Sequence, residues 1–317
     1  MGRDGGAGPQ LDGGVFLTDG GLETTLIFHD GIALPHFAAF TLLGAAEGKA
    51  RLRDYYRRYA GIARAGGHGF VLESPTWRAS RDWGDKLGYS ADALAAANGE
   101  AIALLAELRS EFEAEGAFGP IVLSGQLGPR GDGYDPGELM TADEAEAYHA
   151  AQIAAFARAG ADQVGAQTIN NTGEAIGIAR ACQAHDLPVA ISFTVETDGR
   201  LPTGETLGEA IEAVDAATGD YPAYYMINCA HPEHFAATVD TDDAWTARVR
   251  GVRANASRCS HAELDEATEL DDGDPVAFGT QHRALFRRPP HITVFGGCCG
   301  PHPPHVAHAA PARAKAA

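Results

Sequence analysis

Cys229 ends the run Tyr224-Tyr225-Met226-Ile227-Asn228, and the pair Cys298-Cys299 ends the run Phe295-Gly296-Gly297. Each group of thiols directly follows a short apolar stretch with strand character. Three thiols delivered to strand ends read as a metal site with three protein ligands and a fourth position open to water or substrate. The alternative is three buried core thiols. The glycines Gly296, Gly297 and Gly300 favour the metal reading, because they let two neighbouring thiolates turn toward one ion. Thiolates are soft donors that suit zinc, whereas an iron–sulfur cluster generally takes a fourth cysteine. Cys182, within a helical pattern, and Cys259 read as structural. His231, His234, His302 and His305 lie close in sequence, but three thiols and a substrate already complete a tetrahedron.

The charge of such a site selects its chemistry. Zinc on three thiolates carries a net charge of about −1, which leaves it a poor activator of water. It is a good holder of a substrate thiol, whose pKa falls while the sulfur stays nucleophilic. Alkylation of a substrate thiol is therefore the expected reaction. A cationic sulfonium or ammonium methyl donor would be drawn to the negative site. In-line methyl displacement then needs mainly positioning of nucleophile and donor.

Eight runs with strand character could position these thiols, at residues 15–19, 69–73, 121–125, 163–167, 189–195, 224–229, 249–255 and 292–296. Helical patterns separate most of them. Leu52, Tyr55, Tyr59 and Ile62 recur at helical spacing, and 101–112 repeats the pattern. Thr141 and Glu144 form a capping box, with Gly160 as the stop. Further helices are read over 176–184 and over 207–217, the latter followed by Gly219. Alternation of this kind predicts an α/β fold, a parallel (β/α)8 TIM barrel with its active site at the C-terminal strand ends. It would form a single domain over 1–317, with its core at about 15–300 and mobile tails at 1–14 and 301–317. An open doubly wound sheet would need a phosphate-binding glycine fingerprint, which Asp19-Gly20-Gly21-Leu22-Glu23-Thr24 does not supply. A Schiff-base barrel would need a strand lysine, and Lys49, Lys86 and Lys315 all lie outside the strands. The acidic stretch 263–274 reads as a solvated excursion without a role.

The predicted strand ends are polar or glycine-rich. Asp19, beside its glycines, is a candidate substrate ligand. Thr76 and Trp77, with Arg78, are candidates for a donor pocket, since an aromatic face attracts onium groups. Asn228 is placed to orient its neighbour Cys229. Asn255 either touches the donor or closes a turn.

The net charge of −19 excludes nucleic acid as a natural partner. The partners expected are a small-molecule thiol and a methyl donor. No apolar run reaches the roughly 18 residues of a membrane helix, and the first residues lack a signal peptide's apolar core. These features predict a soluble cytoplasmic protein. Five cysteines in a chain this long do not make a disulfide framework. Only three of the 24 cationic side chains are lysine. Such an acidic, lysine-poor surface suits high salt, and a GC-rich genome would also favour arginine.

The chain resembles the homocysteine S-methyltransferases, zinc (β/α)8 enzymes that include the betaine- and S-methylmethionine-dependent enzymes. The resemblance runs from Phe16 to Gly300 and rests on Asp19-Gly20-Gly21 with Glu23-Thr24, Gly128-Pro129, Asn228-Cys229 and Gly296-Gly297-Cys298-Cys299-Gly300. It implies zinc on Cys229, Cys298 and Cys299, with methionine as product. It also implies that the loop of Asp19, Gly20, Gly21 and Glu23 binds the amino-acid end of homocysteine. One departure stands out: Gln167-Thr168 replaces the usual Glu-Thr or Glu-Tyr, whose glutamate helps hold the substrate ammonium. Glu73 or Glu196 would then have to supply that charge, or the acceptor is another small thiol, or methyl transfer has been lost. S-methylmethionine is the first expectation for the donor, with betaine and S-adenosylmethionine as alternatives.

Overall fold

The structure is a computed structural model that describes residues 8–116, 119–285 and 291–310. Eight parallel strands close into a barrel in chain order. They are β1 (Phe16–Leu17), β2 (Gly69–Glu73), β3 (Ile121–Leu127), β4 (Gln163–Ile169), β5 (Val189–Phe193), β6 (Tyr224–Asn228), β7 (Val249–Ala254) and β8 (Val294–Gly297). β8 closes the ring on β1 through Phe16↔Val294 and Leu17↔Phe295. This is the (β/α)8 barrel expected from the alternation of strand and helix patterns.

Successive strand residues face opposite sides of a sheet, and two separate apolar clusters follow that alternation. Leu17, Phe70, Leu72, Leu123, Val164, Ile191, Ile227, Val252 and Phe295 face outward and pack under the helices. Phe16, Val71, Val122, Ala190, Tyr224, Met226 and Val294 form a smaller cluster that plugs the barrel interior. One inward position further along the strands, the residue types change. Glu73, Ser124, Gln167, Ser192, Asn228 and Arg253 are all buried there. An apolar plug below a polar layer is what places chemistry at the C-terminal mouth.

The helices form for the expected reasons. Leu52, Tyr55 and Tyr59 are fully buried on one face of Ala46–Gly66, which ends on Gly67 in the left-handed region (φ 64°). Thr141 and Glu144 close the predicted capping box of Ala142–Ala159, and Gly160 ends that helix at φ 82°. Ala46–Gly66 is joined to Ala91–Glu115 by the ion pairs Lys49–Glu100, Arg53–Glu107, Arg57–Glu111 and Arg64–Glu115. This ladder uses the arginine bias of the sequence.

Three departures from the sequence reading have clear causes. β4 runs past Gln167 to Ile169, because its register against β5 shifts at Thr168, which takes φ 61°. The parts of the expected tails that are described are packed. Gln10 is buried and donates to Gln163 Oε1 (2.8 Å), while Pro303–Ala309 is a helix burying His305, Val306 and Ala309. Residues 1–7 and 311–317 of those tails lie outside the described residues. Finally, the acidic stretch 263–274 is mostly exposed as expected, but the segment that leads into it is not. Its capping box, Ser260 with Glu263, starts the helix His261–Glu266 and directs His261 back into the mouth, where it is buried.

Candidate active site

Cys229 lies just past β6, and Cys298 and Cys299 just past β8. Their three Sγ atoms lie within 4.8 Å of one another. The sequence thus brings together the thiols it was expected to bring together. Cys229 takes φ 54°, a left-handed conformation that a non-glycine residue adopts only when its surroundings impose it. Cys229 N donates to Arg253 O (3.2 Å), and Cys298 N donates to Ala254 O (2.9 Å). Both thiol segments are therefore anchored on β7, between their own strands. Cys229 and Cys298 are joined as a disulfide in this structure, with Cα atoms 5.4 Å apart, and Cys299 is free. This differs from the expectation of three free thiolates. The convergence that suits a metal also satisfies the Cα spacing a disulfide needs, so the metal-binding form is the reduced one. Cys182 is buried in a helix as expected, whereas Cys259 is exposed.

Each sulfur has one polar neighbour. Asn228 Nδ2 donates to Cys298 Sγ (3.6 Å). The Tyr134 hydroxyl lies 3.6 Å from Cys299 Sγ, and the Thr168 hydroxyl lies 3.7 Å from Cys229 Sγ. Asn228 is itself fixed, since its Oδ1 accepts from Thr168 N (2.9 Å) and Ser192 Oγ (2.7 Å). Tyr134 stacks on His261 at 4.0 Å between ring centroids, and His261 Nε2 lies 2.8 Å from Cys229 O. Neither Tyr134 nor His261 was singled out in the sequence. Both sit on connecting segments whose return to the mouth no local pattern announces.

Beneath the thiols lies a buried charge network. Arg253 Nη2 donates to Asp19 Oδ1 (2.6 Å) and to Gly20 O (2.9 Å), and its Nε donates to Gly297 O (2.9 Å). Its Nη1 pairs with Glu73 Oε2. Gln167 Nε2 donates to Glu73 Oε1 (3.0 Å). Gly165 makes room for this arrangement: a Cβ there would sit 2.9 Å from Glu73 Oε1. Burial pushes the Asp19 carboxyl up, against the opposing pull of the Arg253 guanidinium. Burial likewise pushes Glu23 up to about 7, with the Asp19 charge adding to it. Among the described residues, Gln167 Oε1 and Glu23 Oε1 have no hydrogen-bond partner, while Glu73 Oε2 has only its ion pair with Arg253. Arg253 was not anticipated either; within Val249-Arg250-Gly251-Val252-Arg253-Ala254 it looks like an exposed strand residue.

The residues proposed for a donor pocket separate. Thr76 is fully buried, and its hydroxyl is committed to Gln126 O (2.6 Å) and Ser74 Oγ (2.6 Å), so it holds loops rather than a ligand. Asn255 Oδ1 accepts from Cys299 N (3.0 Å), which makes it a backbone support for the thiol pair. Trp77 stays on the rim, donating from Nε1 to Gln167 O (3.2 Å). Glu196 is taken by His261 Nδ1 (3.0 Å). His231 caps the helix Pro232–Val239 by accepting from Glu233 N, His302 stands at the N-terminal boundary of Pro303–Ala309, and none of the four sequence-adjacent histidines joins the thiol cluster.

A closed parallel barrel with three thiols converging at its mouth, over buried carboxylates and a guanidinium, defines the class: a barrel enzyme with a soft, metal-competent site. The sequence profile of the homocysteine S-methyltransferase family matches residues 16–312, and the chain belongs to that family. It is 25% identical over 315 residues to homocysteine S-methyltransferase 4 of Zea mays, covering 93% of this chain and 88% of the relative. Crystal structures of the homocysteine methyltransferase MmuM from Escherichia coli share the fold. The oxidised form superposes with a TM-score of 0.71 at 22% identity, and the metallated form with 0.70 at 20%. Each covers 93% of this chain and 94% of MmuM. The enzyme is thus a methyltransferase of the homocysteine family.

Proposed function

We propose that this enzyme moves a methyl group from a small onium donor, S-methylmethionine first, to the thiol of homocysteine, giving methionine. The observation that carries the reading is the convergence of Cys229, Cys298 and Cys299 above the Asp19–Arg253–Glu73 network. In the reduced protein these cysteines would hold Zn2+, which suits three thiolate donors and, when bound, lowers the substrate thiol's pKa while leaving its sulfur nucleophilic. The thiolate sulfur attacks the donor methyl carbon. The new C–S bond forms as the donor's C–S⁺ bond breaks, and the electron pair leaves on the donor sulfur as a neutral thioether. S-adenosylmethionine would follow the same course, and betaine would leave as the neutral amine. A cytoplasmic location fits a site that works only with reduced thiols.

Acceptor recognition is the part this chain handles in its own way. Gln167 supplies no charge, but its amide holds Glu73 at 3.0 Å. One guanidinium faces both Asp19 and Glu73, so the layer keeps about one negative charge to attract an ammonium group. The free acceptors Gln167 Oε1 and Glu23 Oε1 offer it hydrogen bonds. Glu73 therefore takes the part of the missing glutamate, whereas Glu196 is engaged with His261. A second reading, transfer to a different small thiol, rests on the same Gln167.

The test is zinc quantitation with a panel of donors and acceptors on the reduced wild type and on C298S. The wild type should hold one zinc at the thiols, counted apart from any bound elsewhere, and methylate homocysteine. C298S should lose the zinc and at least about a thousandfold in kcat/KM. A C298S protein with full zinc and full activity overturns the assignment, and methylation of cysteine in preference to homocysteine establishes the second reading.

A further inference from the structure

We propose that His29, Asp272 and His302 form a second site for a divalent transition metal, separate from the cysteines, which ties three loops of the barrel mouth together. One ligand atom from each of these residues lies within 4.8 Å of the other two. His302 Nδ1 is 3.9 Å from Asp272 Oδ2, and the rings of His29 and His302 are 4.9 Å apart. Ligand atoms at the usual 2.0–2.2 Å around a tetrahedral ion stand about 3.3 Å from one another. Closing the His302–Asp272 gap to that value takes about half an ångström, and the exposed His29 side chain is free to rotate inward.

A second observation points the same way. His302 Nδ1 is buried, yet it has no hydrogen-bond partner. A buried ring nitrogen left unpaired carries a desolvation cost, which a metal bond would remove. The ring is also held from behind. His302 N donates to His305 Nδ1 (3.3 Å), and the buried His305 ring packs at 4.5 Å against it. Pro303 and Pro304 stiffen the chain that follows. Next to Asp272, Asp271 Oδ2 accepts from Ser257 Oγ (2.7 Å) and its Oδ1 from Gly273 N (3.2 Å), so that turn is already formed.

Two imidazoles and a carboxylate are borderline donors that favour Zn2+, Co2+ or Ni2+; Ca2+ and Mg2+ prefer oxygen donors throughout. The ligands come from three segments that each lead to the catalytic mouth. His29 ends the turn Thr25–His29 that follows the Asp19 loop, Asp272 lies in the excursion after β7, and His302 comes three residues after Cys299. An ion here would fix the Asp19 loop against the Cys298-Cys299 segment without touching either reacting group.

Cobalt separates this site from the thiols, because only thiolate ligation adds an intense sulfur-to-metal absorption. The reduced wild type titrated with Co2+ should bind two equivalents, one with that absorption and one without. H29A/H302A should keep the thiolate-type equivalent and lose the other, and D272N should weaken the other at least tenfold. The triple variant C229S/C298S/C299S should show the converse. H29A/H302A, which leaves all three thiols in place, serves even if the triple variant does not fold. Two equivalents retained by H29A/H302A, or a second equivalent in the wild type binding more weakly than about 1 mM, overturns the proposal.

Discussion

The mouth of this barrel has two sides built on opposite principles. On the thiol side, three sulfurs approach one another with a single long polar contact each, and Cys229 and Thr168 both adopt left-handed backbone. On the carboxylate side, one guanidinium meets Asp19, Glu73, Gly20 O and Gly297 O, and nearly every group is paired. The thiol side is loosely held, with Cys229 and Cys298 joined as a disulfide and Cys299 free. The carboxylate side is a rigid frame with a small excess of negative charge. The lesson is that the frame orients the reactive set: Arg253 holds the carbonyls of Gly20 and Gly297, the residue before Cys298, while its own backbone carbonyl accepts from Cys229 N.

The sharpest way to break this division is to remove the guanidinium. R253M leaves Asp19 and Glu73 buried without their cation, and uncompensated charge of that kind typically costs about 3–5 kcal/mol. The variant should lose that much stability in urea denaturation at pH 7 and recover part of it at lower pH, where the Asp19 carboxyl, already pushed up by burial, takes up a proton more readily. An R253M protein as stable as wild type at pH 7 would mean that Arg253 carries no structural load.

The same two sides differ in how far the sequence reveals them. Thiols are rare, their chemistry is narrow, and Cys298-Cys299 between glycines after an apolar run announces itself. The eight strands were legible because parallel strands buried on both faces are continuous apolar runs. Arg253 was not legible. An arginine in a strand looks like an outward residue, and only closure of the barrel shows that position 253 points inward toward residue 19, far away in the chain. Tyr134 and His261 escaped notice for a related reason: loops carry no periodicity to tell which side chain returns to the centre. Thr76 misled in the opposite direction, since a polar residue at a strand end can be spent on neighbouring backbone.

Next in size is the charge that Gln167 lacks. E73Q should raise the KM for homocysteine by about 10–100-fold with little change in kcat, the loss expected for one charge-assisted hydrogen bond made in ground and transition state alike. The exchange E73Q/Q167E returns the carboxylate two strands over, from β2 to β4, and should restore most of the affinity. If E73Q leaves KM unchanged, the frame is structural only and the acceptor ammonium is held elsewhere.

A smaller effect tests the frame's excess negative charge through pH. Glu23 is raised to about 7, above the value of an unfolded glutamate. Between about 4.5 and 7 the folded chain therefore binds the proton more tightly than the unfolded chain, and stability from this group falls as pH rises through that window. E23Q carries no such proton. It should gain on wild type by about 1–2 kcal/mol from pH 5 to pH 8, less than the full shift because the side chain keeps some contact with solvent. Parallel denaturation curves at both pH values would show a carboxylate already ionised and compensated.

The smallest predicted effect probes the thiol side. Y134F keeps the ring stacked on His261 and removes only the hydroxyl near Cys299 Sγ. Loss of one weak donor to a thiolate is worth about 0.5–1 kcal/mol, a two- to fivefold rise in zinc dissociation constant measured by competition with a chelator. H261A goes further, since it removes the stacking partner and the ring nitrogen at Cys229 O together. If Y134F weakens zinc as much as H261A does, the hydroxyl outweighs the stack. If neither variant changes zinc affinity, the sulfurs are organised by their backbone anchors on β7 alone, and the thiol side is as rigidly framed as the carboxylate side.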